Sequence, residues 1–225
     1  MSPIFVRSHG PLDWKAFLAE PERQWARGYS ARTLACCWDS AEGFPPEVAC
    51  TLEQHPALAG SEPLLIFPEW KVPLPGGSRP SQNDIWVLAR AQEHLVSIAV
   101  EGKVNEPFDV TVGEWRANPS RGRGRRLAFL LDVLGLEEPF PDTIRYQLIH
   151  RTASAVIEAE RFNASRAVML VHTFSPENRW FEDFAAFASF FGANAEIGRL
   201  ATSTARNGLS LHLGWVHGEE KWLGS

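Results

Sequence analysis

The stretch His94-Leu-Val-Ser-Ile-Ala-Val-Glu-Gly-Lys-Val104 constrains this chain more than any other. From Leu95 to Val100 it is apolar and partly β-branched, which predicts a short buried strand. Such a strand should stay apolar or stop at a turn. This one runs into Glu101 and Lys103, a carboxylate and an ammonium two residues apart. Side chains alternate faces along a strand, so both project from the same face at its end. The segment before it, Asn83-Asp-Ile-Trp-Val-Leu-Ala89, is a second apolar run, opened by Asp84. The short connection Ala91-Gln-Glu-His94 makes the two runs antiparallel neighbours. That pairing lays Asp84 beside Glu101, with Lys103 at the rim.

Two carboxylates held together repel, and burial raises the cost of their charge, so the arrangement calls for a cation. A hard divalent ion, Mg2+ or Mn2+, takes oxygen ligands and keeps several waters. Asp84, Glu101 and the Gly102 carbonyl would then suffice to hold it. Metal-bound water is more acidic than bulk water, and Lys103 can orient it or help deprotonate it. These are the parts needed to cut a phosphodiester.

Along the rest of the chain, the pattern predicts a short helix near residues 13–19, with Asp13 as its N-cap. A clearer helix spans 30–41, capped by Ser30 and ended by Gly43 and Pro45-Pro46, and a third spans 46–54. The first strand reads as 64–67 followed by 70–74, interrupted at Pro68. Asp84 to Arg90 is the second strand and Leu95 to Val104 the third. A helical segment starts near Val112. Pro119-Ser-Arg-Gly-Arg-Gly-Arg-Arg126 then leads into a helix over 127–134. That run suits either phosphate contacts through Arg123 and Arg125 or a solvated loop. The longest helix spans about 143–162, with an apolar stripe through Ile144, Leu148, Ala155 and Ala159. Gln147, His150, Arg151, Ser154 and Glu158 share its other face. Residues 167–174 form a fourth strand, where His172 is expected as a satisfied core histidine. An aromatic-rich helix over 180–191 and a hairpin, 197–203 with 209–216, complete the chain.

Asp84, followed by Glu101-Gly102-Lys103 at the end of an apolar strand, resembles the motif of the PD-(D/E)XK nuclease superfamily, and a bacterial group within it rather than a restriction enzyme or resolvase. A literal Pro-Asp is absent, because Ser81-Gln-Asn83 separates Pro80 from Asp84. The resemblance covers roughly residues 30–216, with 1–29 as an N-terminal extension of a single domain. It implies an α/β, restriction-endonuclease-like fold, a mixed central sheet flanked by helices. It implies that Asp84 and Glu101 bind the metal, that Lys103 assists the attacking water, and that Gln147 and Arg151 serve the active site from the long helix. It also implies an acid from a helix before the first strand, for which Glu42 and Glu47 are the candidates, although a solvated helix-end carboxylate is the simpler reading of each. Many such nucleases dimerise to cut two strands, so a homodimer is compatible, although no interface helix stands out.

Composition bounds these expectations. A length of 225 residues suits one substantial core. The N-terminus lacks a signal-peptide profile and no apolar run is long enough for a membrane span, which predicts a cytoplasmic protein without membrane partners. Cys36, Cys37 and Cys50 fit no zinc spacing, and no His-Glu-x-x-His, P-loop, Gly-x-Ser-x-Gly or Gly-rich dinucleotide turn is present. The net charge of −5 disfavours broad nucleic-acid binding but permits a local basic surface. Three readings follow: a metal-dependent nuclease, with DNA favoured over RNA; a nuclease-like fold kept as a binding or structural module; and a chance surface salt bridge at Glu101 and Lys103 in an unrelated α/β protein.

Overall fold

A computed structural model of the protein describes residues 4–5 and 8–225. Strands β1 (Glu62–Val72), β2 (Ser81–Ala91) and β3 (His94–Lys103) form an antiparallel meander. β4 (Arg166–Thr173) pairs parallel to β3, and β6 (Ser210–His217) parallel to β4. β5 (Leu200–Thr204) closes the far edge antiparallel to β6, so the sheet runs β1-β2-β3-β4-β6-β5. The result is a mixed α/β domain.

The two-residue period of the strands sorts side chains into two cores. Ile98, Val100, Val168 and Leu170 face one side. There they meet Leu34, Ala35 and Trp38 of α2 (Ser30–Asp39) and Val48 and Leu52 of α3 (Pro46–Glu53); the short α1 (Pro21–Gln24) precedes them in the chain and buries no residue. Ala99, Ala167, Met169 and Val171 face the other side. Four helices cover that face: α4 (Val112–Ala117), α5 (Arg121–Leu134), α6 (Tyr146–Arg161) and α7 (Phe181–Ser189). Glu101 and Lys103 continue the series of Ala99 and therefore point toward α6.

Several boundaries differ from the sequence reading. β1 runs unbroken through Pro68, which pairs with Ile85. An edge strand tolerates a missing N–H, and β1 is such an edge. Asp13 lies inside a 3-10 helix (Pro11–Phe17) and is no N-cap; its carboxylate accepts from the His9 amide at 2.8 Å. Ser30 is the first residue of α2, whose N-cap is Tyr29. Trp14 and Leu18 are buried, Trp14 in the core with α2, so the expected N-terminal extension is part of the packed structure.

The arginine–glycine run forms the first turns of α5, capped by Ser120, and is not a loop before it. Its glycines have different uses. A Cβ on Gly122 would lie 2.3 Å from the Gly76 carbonyl oxygen, and one on Gly76 would lie 2.1 Å from that of Gly122. Backbone meets backbone here, and only glycine permits it. Gly124 faces open space. Gly122→Ala should therefore destabilise the protein by about 1–3 kcal/mol. Gly124→Ala should stabilise it by about 0.5–1 kcal/mol, because it removes a helix-interior glycine without a clash. Urea unfolding of the two variants measures both; equal effects would refute the close-approach account.

Candidate active site

The site forms where β2 begins and β3 ends, beneath the first turns of α6. Ile85 stands opposite Val100, so the next residues outward bring Asp84 to the level of Glu101. The Gly102 amide donates to Asp84 Oδ2 at 2.8 Å and fixes that carboxylate. Gly102 is closely surrounded: a Cβ there would meet Leu34 at 3.1 Å and Asp84 Oδ2 at 3.3 Å.

Glu101 is buried and holds three polar contacts. Lys103 Nζ lies 2.7 Å from Oε1, and Gln147 Nε2 donates to the same oxygen at 2.8 Å. Arg151 Nε donates to Oε2 at 2.5 Å, while its Nη2 lies 3.8 Å from Asp84 Oδ1. Lys103 also donates to Gln147 Oε1 at 3.2 Å, so Gln147 bridges the acid and the ammonium. Gln147 and Arg151 are four residues apart on α6 and reach the site from one helical face. The polar face of α6 is therefore not solvated: Arg151, Ser154 and Glu158 are all buried.

The electrostatics follow from these contacts. Burial by itself would raise the Glu101 carboxyl, but Arg151 and Lys103 outweigh it and hold the group down at about 2. Asp84 goes the other way, pushed up to about 7 by burial and by the negative charge of Glu101. A third acid joins them. Pro68 pairs with Ile85 and Trp70 with Asn83, which sets Glu69 beside Asp84. Glu69 accepts from Gln82 Nε2 at 2.6 Å and is pushed up to about 8 by burial and by Asp84. His150, whose Nδ1 lies 2.8 Å from Ser81 Oγ, is held well below the histidine range by burial and Arg151, and so is neutral.

A cleft of about 580 Å3 opens over these groups. Asp84, Glu101, Lys103, Gln147 and Arg151 all line it, and so does Glu69. Arg123 and Arg125 do not line it. Arg123 stacks on Trp115 at 4.7 Å and donates to its carbonyl at 3.1 Å. Neither Glu42 nor Glu47 reaches the cleft; Glu47 instead accepts from the buried His172 at 3.0 Å. Glu69 carried the same signal as Glu101, an acid within an apolar strand, but Pro68 masked it by suggesting a break.

The chain belongs to the family described as Domain of unknown function (DUF6946), whose model matches residues 7–220. No curated protein and no solved structure matches the chain.

The ion cluster yields a stability prediction. Glu101 is depressed from 4.5 to about 2, so its contribution is fully present above pH 4.5 and lost as pH falls toward 2. Arg151→Met removes its principal counterion. The variant should lose about 3 kcal/mol of stability at pH 7 and show a shallower further loss between pH 4.5 and 2. Urea titrations at pH 7, 4.5 and 3 measure this; an unchanged acid limb would refute the role of Arg151.

Proposed function

We propose that the protein is a metal-dependent nuclease that hydrolyses phosphodiester bonds of nucleic acid. One observation carries the reading: Gln147 of α6 hydrogen-bonds both Glu101 and Lys103, beside an Asp84 fixed by the Gly102 amide. An acid on one strand, Glu-x-Lys on the next and a glutamine from the long helix, all meeting on one face, support the resemblance to the PD-(D/E)XK motif.

The donor set suits a hard divalent cation. Asp84, Glu69 and Glu101 offer only oxygen, and the raised carboxyls of Asp84 and Glu69 mark a place short of positive charge. Asp84 and Glu101 would hold Mg2+ or Mn2+, with the Gly102 carbonyl a further oxygen. When bound, such an ion supplies an acidified water and stabilises charge on the phosphoryl oxygens. The remaining work belongs to the side chains. Lys103 is an ammonium held by Glu101 and Gln147, placed to orient the attacking water and to offset charge developing on the phosphate. Arg151 is the counterion that keeps Glu101 ionised.

A second reading keeps the fold as a binding or structural module. The contact that favours it is Arg151 itself, since a guanidinium already occupies Glu101 Oε2 and approaches Asp84. The two readings separate by calorimetric titration with Mn2+ and Mg2+. The nuclease reading expects saturable binding in the wild type, lost in Glu101→Ala and in Asp84→Asn. It also expects Lys103→Ala to cleave oligonucleotides at least 100-fold more slowly. No binding by the wild type, with and without oligonucleotide, would favour the module.

A further inference from the structure

The charge lining the cleft does not suit a duplex. Among the described residues six carboxylic side chains line it, Glu20, Glu69, Asp84, Glu101, Glu106 and Asp109, against four cations. Three of those cations are already engaged. Arg23 pairs with Glu20 at 3.1 Å, and both Lys103 and Arg151 hold Glu101. The fourth, Arg79, is exposed and has no hydrogen bond or ion pair among the described residues. Double-stranded DNA carries one negative charge about every 1.7 Å of helix axis, and its binders neutralise many phosphates with lysine and arginine. A cleft with one free cation among its described residues does not match that demand.

The same cleft offers a feature that suits an unpaired base. Tyr29, the N-cap of α2, lines it with half of its surface exposed and no ring partner among the described residues. Tyr29 belongs to the wall built from the N-terminal segment. Arg79 belongs to another wall, the β1–β2 loop, where the following Pro80 restricts its backbone. An aromatic face for stacking and a cation for one phosphate, set over a polar cleft, match how single strands are held.

We infer that the substrate is single-stranded nucleic acid, with a base stacking on Tyr29 and a backbone phosphate held by Arg79. This rests on the nuclease reading above and narrows it. The pairing also explains how an acidic protein engages a polyanion: only a short, flexible stretch enters, and the strand beyond stays in solvent.

Fluorescence anisotropy tests the inference on the full chain. A labelled 12-nucleotide strand and its duplex are compared in Ca2+, with the oligonucleotide checked for integrity afterwards. The single strand should bind at least ten-fold more tightly. Tyr29→Ala and Arg79→Ala should each weaken it about ten-fold, while Tyr29→Trp and Arg79→Lys retain most of the affinity. Unchanged thermal unfolding of the alanine variants makes their losses a matter of contact. Equal or tighter duplex binding, or undiminished affinity in both alanine variants, would overturn the inference and leave the nuclease reading standing. Failure of the wild type to bind either form would overturn both.

Discussion

The buried charge of Glu101 is the constraint on which the rest of this structure depends. Taking a carboxylate out of water costs several kcal/mol, and an unpaired one would protonate or unfold its surroundings. Here the compensation comes from two elements only. Lys103 lies two residues along β3, and Gln147 and Arg151 come from the first turns of α6. Docking α6 on the sheet and assembling the site are therefore one event. The apolar stripe of the helix, with Leu148, Ile149, Ala155 and Val156 buried against the sheet, supplies the energy that holds the polar end in place.

That arrangement leaves charge unevenly resolved. Glu101 is fully compensated, whereas Asp84 and Glu69 share what little of Arg151 remains and rise into the neutral range. A purely structural ion cluster would gain by replacing one of these acids with an amide. Keeping three carboxyls around two cations at the floor of a solvent-open cleft makes sense when a further cation is part of the working state. This is why the nuclease reading is preferred to the inert module, even though Arg151 already sits on Glu101.

Much of the site was legible because strand geometry is strict. Period-two alternation put Glu101 and Lys103 on one face, and a short hairpin put Asp84 next to them. Helical spacing likewise put Gln147 and Arg151 together. What escaped was set by contacts distant in sequence. Pro68 reads as a break, yet at a sheet edge its missing N–H costs little, so β1 continues and delivers Glu69. Arg123 suits a phosphate contact or a solvated loop by sequence, yet Trp115 and its carbonyl hold it away from the cleft. Gly122 lies in a run that suits either phosphate contacts or a solvated loop, yet its place is set by the close passage of the Gly76 backbone. Nothing local to Arg79 or Tyr29 marks either residue, because only the folded chain brings both to the lining of one cleft.

On the proposed reading Asp84 and Glu101 form a divalent-cation site in which Arg151 stands in as counterion. Crystals soaked in Mn2+ and measured for anomalous scattering test it most directly. The account predicts a peak within about 2.5 Å of Asp84 Oδ1 and a Glu101 oxygen, with the Arg151 guanidinium moved off Glu101. A saturating soak with no peak there, and Arg151 still bound to Glu101, would contradict it.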